Sequence, residues 1–412
     1  MRYKRRWITE LLQEVCADHP IVVLTGARQV GKSTLLLNAE PTGSWRYLSL
    51  DDYDVLEQVR SDPLDLLSVD TPTVIDEAQR APELLMTIKR LVDENRLNRR
   101  FVLSGSANLL LMSRVSETLA GRAVFLRLNP MTWGEFQEFP SPTVLEDLLS
   151  GRFPEEREIE GELDLTELVW RGGMPPVLGM RTHRAILQWW EGYVTTYLER
   201  DLRDLAQINS LSDFRRVMIA LALRTGQVLN QSEIARDVAV PQPTVHRYLN
   251  LLEASMLFER LPSFARSRTK RLIKSPKAYL VDSGLAAFLQ GIYSPGDLRS
   301  AREWGGLLES FVLHHLRSWA ELQVPPVRIY FWRTTSGLEV DFVLERGRDL
   351  LAIEVKSSGE LRLPEIKGLK AFLNENPQAR CGVLAYTGKR VVRLTGKVIA
   401  LPIRMFLGDI PN

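Results

Sequence analysis

Cysteine is almost missing from this chain. Cys16 and Cys381 stand far apart, and neither has a second cysteine near it, which argues against both a disulfide framework and a cysteine-type zinc site. No stretch approaches the roughly 18–20 apolar residues that a membrane helix needs. The N-terminal MRYKRRWITELLQEV is basic, but no apolar run follows it, so it does not read as a secretory signal. A net charge of +2 over 412 residues gives the whole molecule no strong pull on polyanions. Any basic surface must therefore come from local clustering. There is no internal repeat, low-complexity tract or heptad run. What remains, 45% apolar and 25% charged residues, is the balance of a globular protein. The length calls for about two to four domains, and the scarce cysteines fit a reduced, cytoplasmic compartment.

The first third alternates strand-like and helix-like segments: IVVLTG, then KSTLLLNAE, WRYLSLDD, TVIDEA, ELLMTIKRLVDENR, RFVLSGSA and AVFLRLNPM. That alternation predicts a parallel sheet covered on both faces. Within it, Gly26-Ala27-Arg28-Gln29-Val30-Gly31-Lys32-Ser33, continuing into Thr34, satisfies the phosphate-loop pattern GxxxxGK(S/T). It leaves an apolar strand and opens a helix, the context that confirms the motif. Gly26 and Gly31 let the backbone curl until successive N–H groups point inward at phosphate oxygens. The helix N-terminus adds its positive dipole end. Lys32 would reach the β- and γ-phosphates of ATP, and the Ser33 hydroxyl would join the Mg2+ shell.

A neighbouring strand should then supply acid, and Thr73-Val74-Ile75-Asp76-Glu77 does so. Asp76 is placed for the Mg2+ shell and Glu77 to orient or deprotonate the attacking water. In LSGSAN, either Ser104 or Ser106 is a candidate for the γ-phosphate or the water, or else an ordinary turn residue. Arg122, in LAGRAVFL, reads on spacing alone equally as a surface charge or as a finger for a neighbouring subunit's γ-phosphate.

The texture changes near Pro140, where a polar, turn-rich stretch marks a boundary. Helical periodicity then runs to about Met256, interrupted by GGMPP at Gly172–Pro176. From Asp213 the pattern reads as a winged helix. Asn230 or Ser232 caps one helix, VPQP turns, and a recognition helix carries Gln242, Thr244, His246 and Arg247 on its polar side. The hairpin after it holds Arg260, Arg266, Arg268, Lys270, Arg271, Lys274 and Lys277, offset by Glu259 just outside. As a wing, this run would lie along a DNA backbone and give salt-dependent affinity.

The last third returns to strands. Glu309 lies on a helix, Asp341 in LEVDFVL, and Glu354 and Lys356 alternate on IEVKSS. The order resembles the PD-(D/E)xK nuclease fold. In that reading Asp341 and Glu354 share a second Mg2+ or a Mn2+, Glu309 completes the set and Lys356 holds the attacking water. His314 and His315 on the Glu309 helix read as packing or surface residues.

GARQVGKSTLL, VIDEAQRAPELL, SGSANLLL with LAGRAVFL, GGMP and YLERDL together resemble a prokaryotic AAA+ family with an AAA_14-type ATPase core and a C-terminal DUF4143. The resemblance covers nearly the whole chain. It implies an α/β fold: a P-loop AAA+ core over 1–140, a helical lid over 141–205, a winged helix over 206–285 and a nuclease-like mixed α/β domain over 286–412. It favours Arg122 as the finger, and so an oligomer, a six-membered ring being one form. Arg200 in YLERDL is a candidate second sensor. The expected activity is ATP hydrolysis coupled to remodelling of DNA, with branched or junction DNA as the shape suggested by the domain set. Two rivals are an endonuclease for which ATP is a switch and a signal-type ATPase that recognises protein or promoter DNA.

Overall fold

The computed structural model describes residues 2–95, 99–105, 118–196, 208 and 210–408. The chain divides into two compact units, residues 1–131 with 254–257, and 132–253 with 258–412. Ser106 and Arg200 lie outside the described residues.

In the first unit, β1 (Ile21–Thr25), β2 (Arg46–Ser49), β3 (Thr73–Asp76), β4 (Phe101–Ser104) and β5 (Ala123–Arg127) form a sheet in the order β2-β3-β4-β1-β5. Every pairing is parallel, as the alternation of strands and helices predicts. β1, β3 and β4 are buried along their whole length, which is why they read as unbroken apolar runs. Ile21 and Val23 pack with Phe101, Leu103, Leu84, Leu85 and Ile88, so the Leu84–Glu94 helix closes this core. Within the N-terminal KRRW, Arg6 is anchored in this unit: its guanidinium, the residue being 4% exposed, donates to the carbonyls of Val30 (3.0 Å) and Asn129 (2.7 Å), while Arg5 is exposed.

The second unit holds two more sheets. β6 (Gln227–Val228), β7 (Phe258–Leu261) and β8 (Lys277–Leu280) pair antiparallel in the order β6-β8-β7. β9 (Arg328–Arg333), β10 (Glu339–Arg346), β11 (Asp349–Lys356), β12 (Cys381–Tyr386), β13 (Val392–Arg393) and β14 (Val398–Pro402) form a mixed sheet in the order β13-β14-β12-β11-β10-β9. The chain is thus α/β throughout, ending in a mixed sheet.

The GGMPP interruption has a packing cause. Asp282, fully enclosed at the start of the Ser283–Leu289 helix, accepts from the N–H groups of Gly284, Leu285 and Gly173. Burial pushes its carboxyl up to about 6, and those backbone donors oppose the shift. Gly172 sits at φ +77, and a Cβ there would collide with the Asp282 carboxylate. Gly172→Ala should therefore lower stability by about 2–4 kcal/mol, combining backbone strain and overpacking. An unchanged urea midpoint would mean that this contact does not constrain the fold.

Candidate functional site

β1 delivers the chain into the phosphate loop at its carboxyl end, and the Lys32–Asn38 helix leaves it. Gly31 is left-handed (φ 95°, ψ 27°) and caps that helix, and a Cβ at Gly26 would collide with the carbonyl of Leu128. Both glycines therefore answer a steric demand. Ala27 and Val30 are buried, whereas Arg28, Gln29 and Thr34 face outward. The Lys32 ammonium is buried and donates to the carbonyls of Gly26 and Ala27, each at 3.0 Å. Burial lowers its pKa to about 8, while Glu77 and Asp76 pull the other way.

β3 places Asp76 at the same edge of the sheet, buried. Its Oδ1 accepts from the Glu77 N–H (3.0 Å), and its Oδ2 accepts from the Tyr47 hydroxyl of β2. Tyr47 also hydrogen-bonds Ser33, so one phenol bridges the two residues expected to share the Mg2+ shell. Burial and that bond to Asp76 push the phenol above its ordinary range. The sequence reading missed Tyr47; the one available signal was its place on the strand beside TVIDE. Glu77 is left-handed (φ 56°), and its carboxylate accepts from Gln79. Burial raises the Glu77 pKa and Gln79 opposes the shift. Ser104 is buried with its hydroxyl unpartnered among the described residues, at the end of the strand next to β1. Arg122 grips Asp93 with two bonds, Nε to Oδ1 at 2.6 Å and Nη2 to Oδ2 at 2.9 Å.

A Mg–nucleotide fits these residues. The glycine curl, the Lys32 ammonium and the Ser33–Asp76 pair are the donor set that a polyphosphate and a hard cation require. Mg2+ would there neutralise charge on the phosphate oxygens.

The C-terminal acids are arranged otherwise than expected. Lys277, its side chain 2% exposed, directs its ammonium to Glu309 Oε2 (3.2 Å), Asp341 Oδ1 (3.2 Å) and Glu339 Oε1 (2.5 Å). The Tyr279 hydroxyl donates to the same Glu309 oxygen (2.9 Å), and the Val355 N–H donates to Asp341 Oδ2 (2.8 Å). Glu354 and Lys356 do share a face of β11, but the lysine is paired to Glu354 Oε1 at 2.8 Å. Burial, with Asp341 beside them, raises the carboxyls of both Glu309 and Glu354. Among the described residues no three acids or histidines are grouped to hold a metal ion. The expected Glu309–Asp341–Glu354 metal set is thus corrected: a lysine counted as part of the basic run occupies its centre. The alternation of Lys277 and Tyr279 on β8 was the only hint. His315 is a core residue, its Nε2 accepting the Trp133 N–H, and burial lowers its pKa to about 3. Both cysteines are buried, unpaired and pushed up to about 12 by burial.

The basic run is likewise not one free hairpin. After β7, Pro262 and Phe264 hydrogen-bond Phe331 of β9, and a short helix, Arg268–Ile273, precedes β8. Arg271 is spent on a bidentate pair with Glu345 (2.7 and 2.9 Å) and stacks on Phe264 and Tyr330. Arg260 pairs with Glu253. Arg266, Arg268, Lys270 and Lys274 are exposed. On the Gln242–Ala254 helix His246 and Arg247 are exposed and Thr244 half-buried. Both His246 ring nitrogens are engaged, with Gln231 and Asn250.

The sequence matches three families in tandem: the AAA domain over 18–137, a domain of unknown function (DUF8612) over 162–295 and a domain of unknown function (DUF4143) over 304–406. It is 30% identical over 410 residues to the uncharacterized protein Rv2008c of Mycobacterium tuberculosis, covering 99% of this chain and 85% of that one. The chain belongs to this AAA–DUF4143 family. An uncharacterized Haemophilus influenzae protein is 22% identical over 85% of this chain and 86% of its own length. Among solved structures, the Thermotoga maritima RuvB Holliday junction branch migration motor aligns over 63% of this chain and 90% of its own. The identity is 15% and the TM-score 0.27. As a member of the family, the chain carries a nucleotide-binding P-loop domain of the AAA type. No helix among the described residues is long and apolar enough to cross a membrane.

With Lys32 titrating near 8, only its protonated form meets phosphate as a cation. Below pH 8 the lysine is charged before ATP arrives, so affinity should be flat. Above pH 8 binding must first take up a proton, so affinity should fall by up to about tenfold per pH unit. Isothermal titration of ATP from pH 6.5 to 9.5 checks this; a flat profile to pH 9.5 would refute it.

Proposed function

We propose that this protein hydrolyses ATP at a site shared between subunits and couples the turnover to remodelling of bound DNA. The observation that carries the reading is the convergence of Lys32, Ser33, Asp76 and Glu77, with Tyr47 bridging Ser33 and Asp76, at one sheet edge. In this reading Lys32 holds the terminal phosphates, Ser33 and Asp76 hold Mg2+, and Glu77 takes the proton of the attacking water. Ser104 and Ser106 remain candidates for the γ-phosphate. Arg122 exchanges its Asp93 partner for the γ-phosphate bound by a neighbouring subunit. That exchange preserves its charge-assisted bonds and makes the active form an oligomer, a six-membered ring being one arrangement.

The DNA half rests on two helices, Gln231–Asp237 and Gln242–Ala254, joined by a short turn and followed by the β7–β8 pair. We read this as a winged helix with Thr244, His246 and Arg247 on its recognition side. Four exposed cations, Arg266, Arg268, Lys270 and Lys274, lie on the segment between β7 and β8. Phosphate contacts from such a segment are indifferent to sequence, which suits a protein that reads DNA shape, branched DNA included.

Lys32→Ala should abolish turnover. Arg122→Ala should abolish turnover while sparing most ATP binding; normal hydrolysis by Arg122→Ala would end the shared-site reading. Reversing Arg268, Lys270 and Lys274 to glutamate should weaken DNA binding and flatten the salt slope of log K by about 2–3. ATPase rates titrated against linear, forked and four-way DNA test the coupling, and turnover indifferent to every DNA would refute it.

A further inference from the structure

We infer that Lys277 is the resident cation of the C-terminal acidic cluster, and that the cluster accepts a divalent metal only when this ammonium is removed. The inference does not depend on the DNA-remodelling reading.

An ammonium has three N–H donors, and Lys277 meets three carboxylates, those of Glu309, Glu339 and Asp341. Most of the other inward groups are engaged as well, Glu354 Oε2 alone among these acids being buried without a hydrogen-bond partner among the described residues. Tyr279 donates to Glu309, the Val355 N–H to Asp341 and Lys356 to Glu354. Lys356, on which a nuclease mechanism would rely to hold water, is therefore engaged by its own strand. A hard divalent ion needs carboxylate oxygens converging at about 2.0–2.6 Å. The ammonium nitrogen stands 2.5–3.2 Å from three of the oxygens that would provide them. A dication added beside it would place like charges in contact within a site of low dielectric.

The lysine cannot easily swing away. It opens β8, which is paired on both sides, to β6 and to β7. Gly226 donates to Ala278 O at 2.8 Å, and a Cβ at Gly226 would press on Glu309 Oε2 at 3.2 Å. Access is not the obstacle. A cavity of about 470 Å3, lined in part by Arg224, Gln227, Glu233, Arg302 and Glu303, reaches Glu309. Ions from solvent can therefore approach the cluster, and what excludes them is the ammonium that already occupies the position between its oxygens.

Burial opposes the charge on Lys277, yet Tyr279, Glu309, Asp341 and Glu339 together hold its pKa well above the ordinary lysine value. Replacing Lys277 with methionine, of similar length and uncharged, leaves the carboxylates facing one another across a vacated centre.

The test is a Mn2+ titration of the nucleotide-free full chain, read by electron paramagnetic resonance and by thermal midpoint. The set is wild type, Asp341→Asn, Lys277→Met and the Lys277→Met/Asp341→Asn double variant. The P-loop side of the molecule is common to all four, so any Asp341-dependent ion belongs to this cluster. Lys277→Met should gain one Mn2+ site about tenfold or more tighter than any Asp341-dependent binding in wild type. The double variant should lose it, and Mn2+ should raise the midpoint of Lys277→Met by several degrees more than that of wild type. A wild-type Mn2+ site that Asp341→Asn abolishes would overturn the proposal, and so would a folded Lys277→Met that gains none. If Lys277→Met folds only when refolded with Mn2+, the proposal is supported. If it folds under neither condition, the wild-type and Asp341→Asn pair decides alone.

Discussion

A cation removed from water must meet oxygen on every side, and this constraint shapes both units of the chain. Among the described residues three Lys or Arg side chains are buried: Arg6, Lys32 and Lys277. Arg6 is met by the carbonyls of Val30 and Asn129, which ties the N-terminal segment to the phosphate loop and to the end of β5. Lys32 is met by the carbonyls of Gly26 and Ala27, within the same loop. Lys277 is met by side-chain carboxylates alone. The difference in partners carries the difference in role. Backbone carbonyls are dipoles without net charge, so they hold Lys32 loosely enough for burial to bring its pKa to about 8. A phosphate, with full negative charge, is a better partner than the loop's own oxygens. Three carboxylates more than balance the charge of Lys277, and no incoming anion improves on them.

The same contrast separates what the sequence made legible from what it did not. Phosphate-loop chemistry is local. Gly26, Gly31, Lys32 and Ser33 lie within eight positions, and the demand on Gly31 arises from the turn it makes, while Gly26 also clears the carbonyl of Leu128. Asp76 and Glu77 were readable because a buried apolar strand ending in acids has few places to go in a parallel sheet. The α/β class followed from strands too apolar to be exposed on either face. Tyr47 was not readable. It reaches Asp76 across neighbouring strands, and nothing in WRYLSLDD marks the register that aligns Ser49 with Asp76. Lys277 was misread for a related reason. Charge counted along the chain treats a lysine among arginines as surface, whereas the third dimension pairs it with acids 32 to 64 residues away.

The basic run shows how composition and topology part. Its seven positions suggest one continuous polyanion surface. The chain instead splits them by function: Arg260 and Arg271 bind acids, Lys277 goes inward, and Arg266, Arg268, Lys270 and Lys274 stay at the surface. Arg271 is the pivot of this division. Its guanidinium lies against the rings of both Phe264 and Tyr330 while both its terminal nitrogens grip Glu345. Planarity and five fixed donors suit it to that place, and a lysine there would satisfy neither ring nor fork. The pair locks the segment between β7 and β8 onto β9 and β10, so the four exposed cations are presented from an anchored base.

That anchoring bears on how the second unit is to be understood. A nuclease centre requires acids that are poorly neutralised by the protein, so that a metal improves their electrostatics. Here the acids of β10 and of the Trp304–Ala320 helix are drawn instead to a strand of the small antiparallel sheet. Lys277 thereby acts as a rivet between β8, β10 and that helix, and its three bonds hold together elements far apart in the chain. Removing the ammonium would leave buried carboxylates without their shared cation, a cost of about 3–5 kcal/mol. The arrangement therefore resists both metal and motion. On this logic the acidic pattern on β10 and β11 preserves a framework, and the chemistry of the chain is concentrated at Lys32, whose direct partners are backbone carbonyls and whose nearby acids are Asp76 and Glu77.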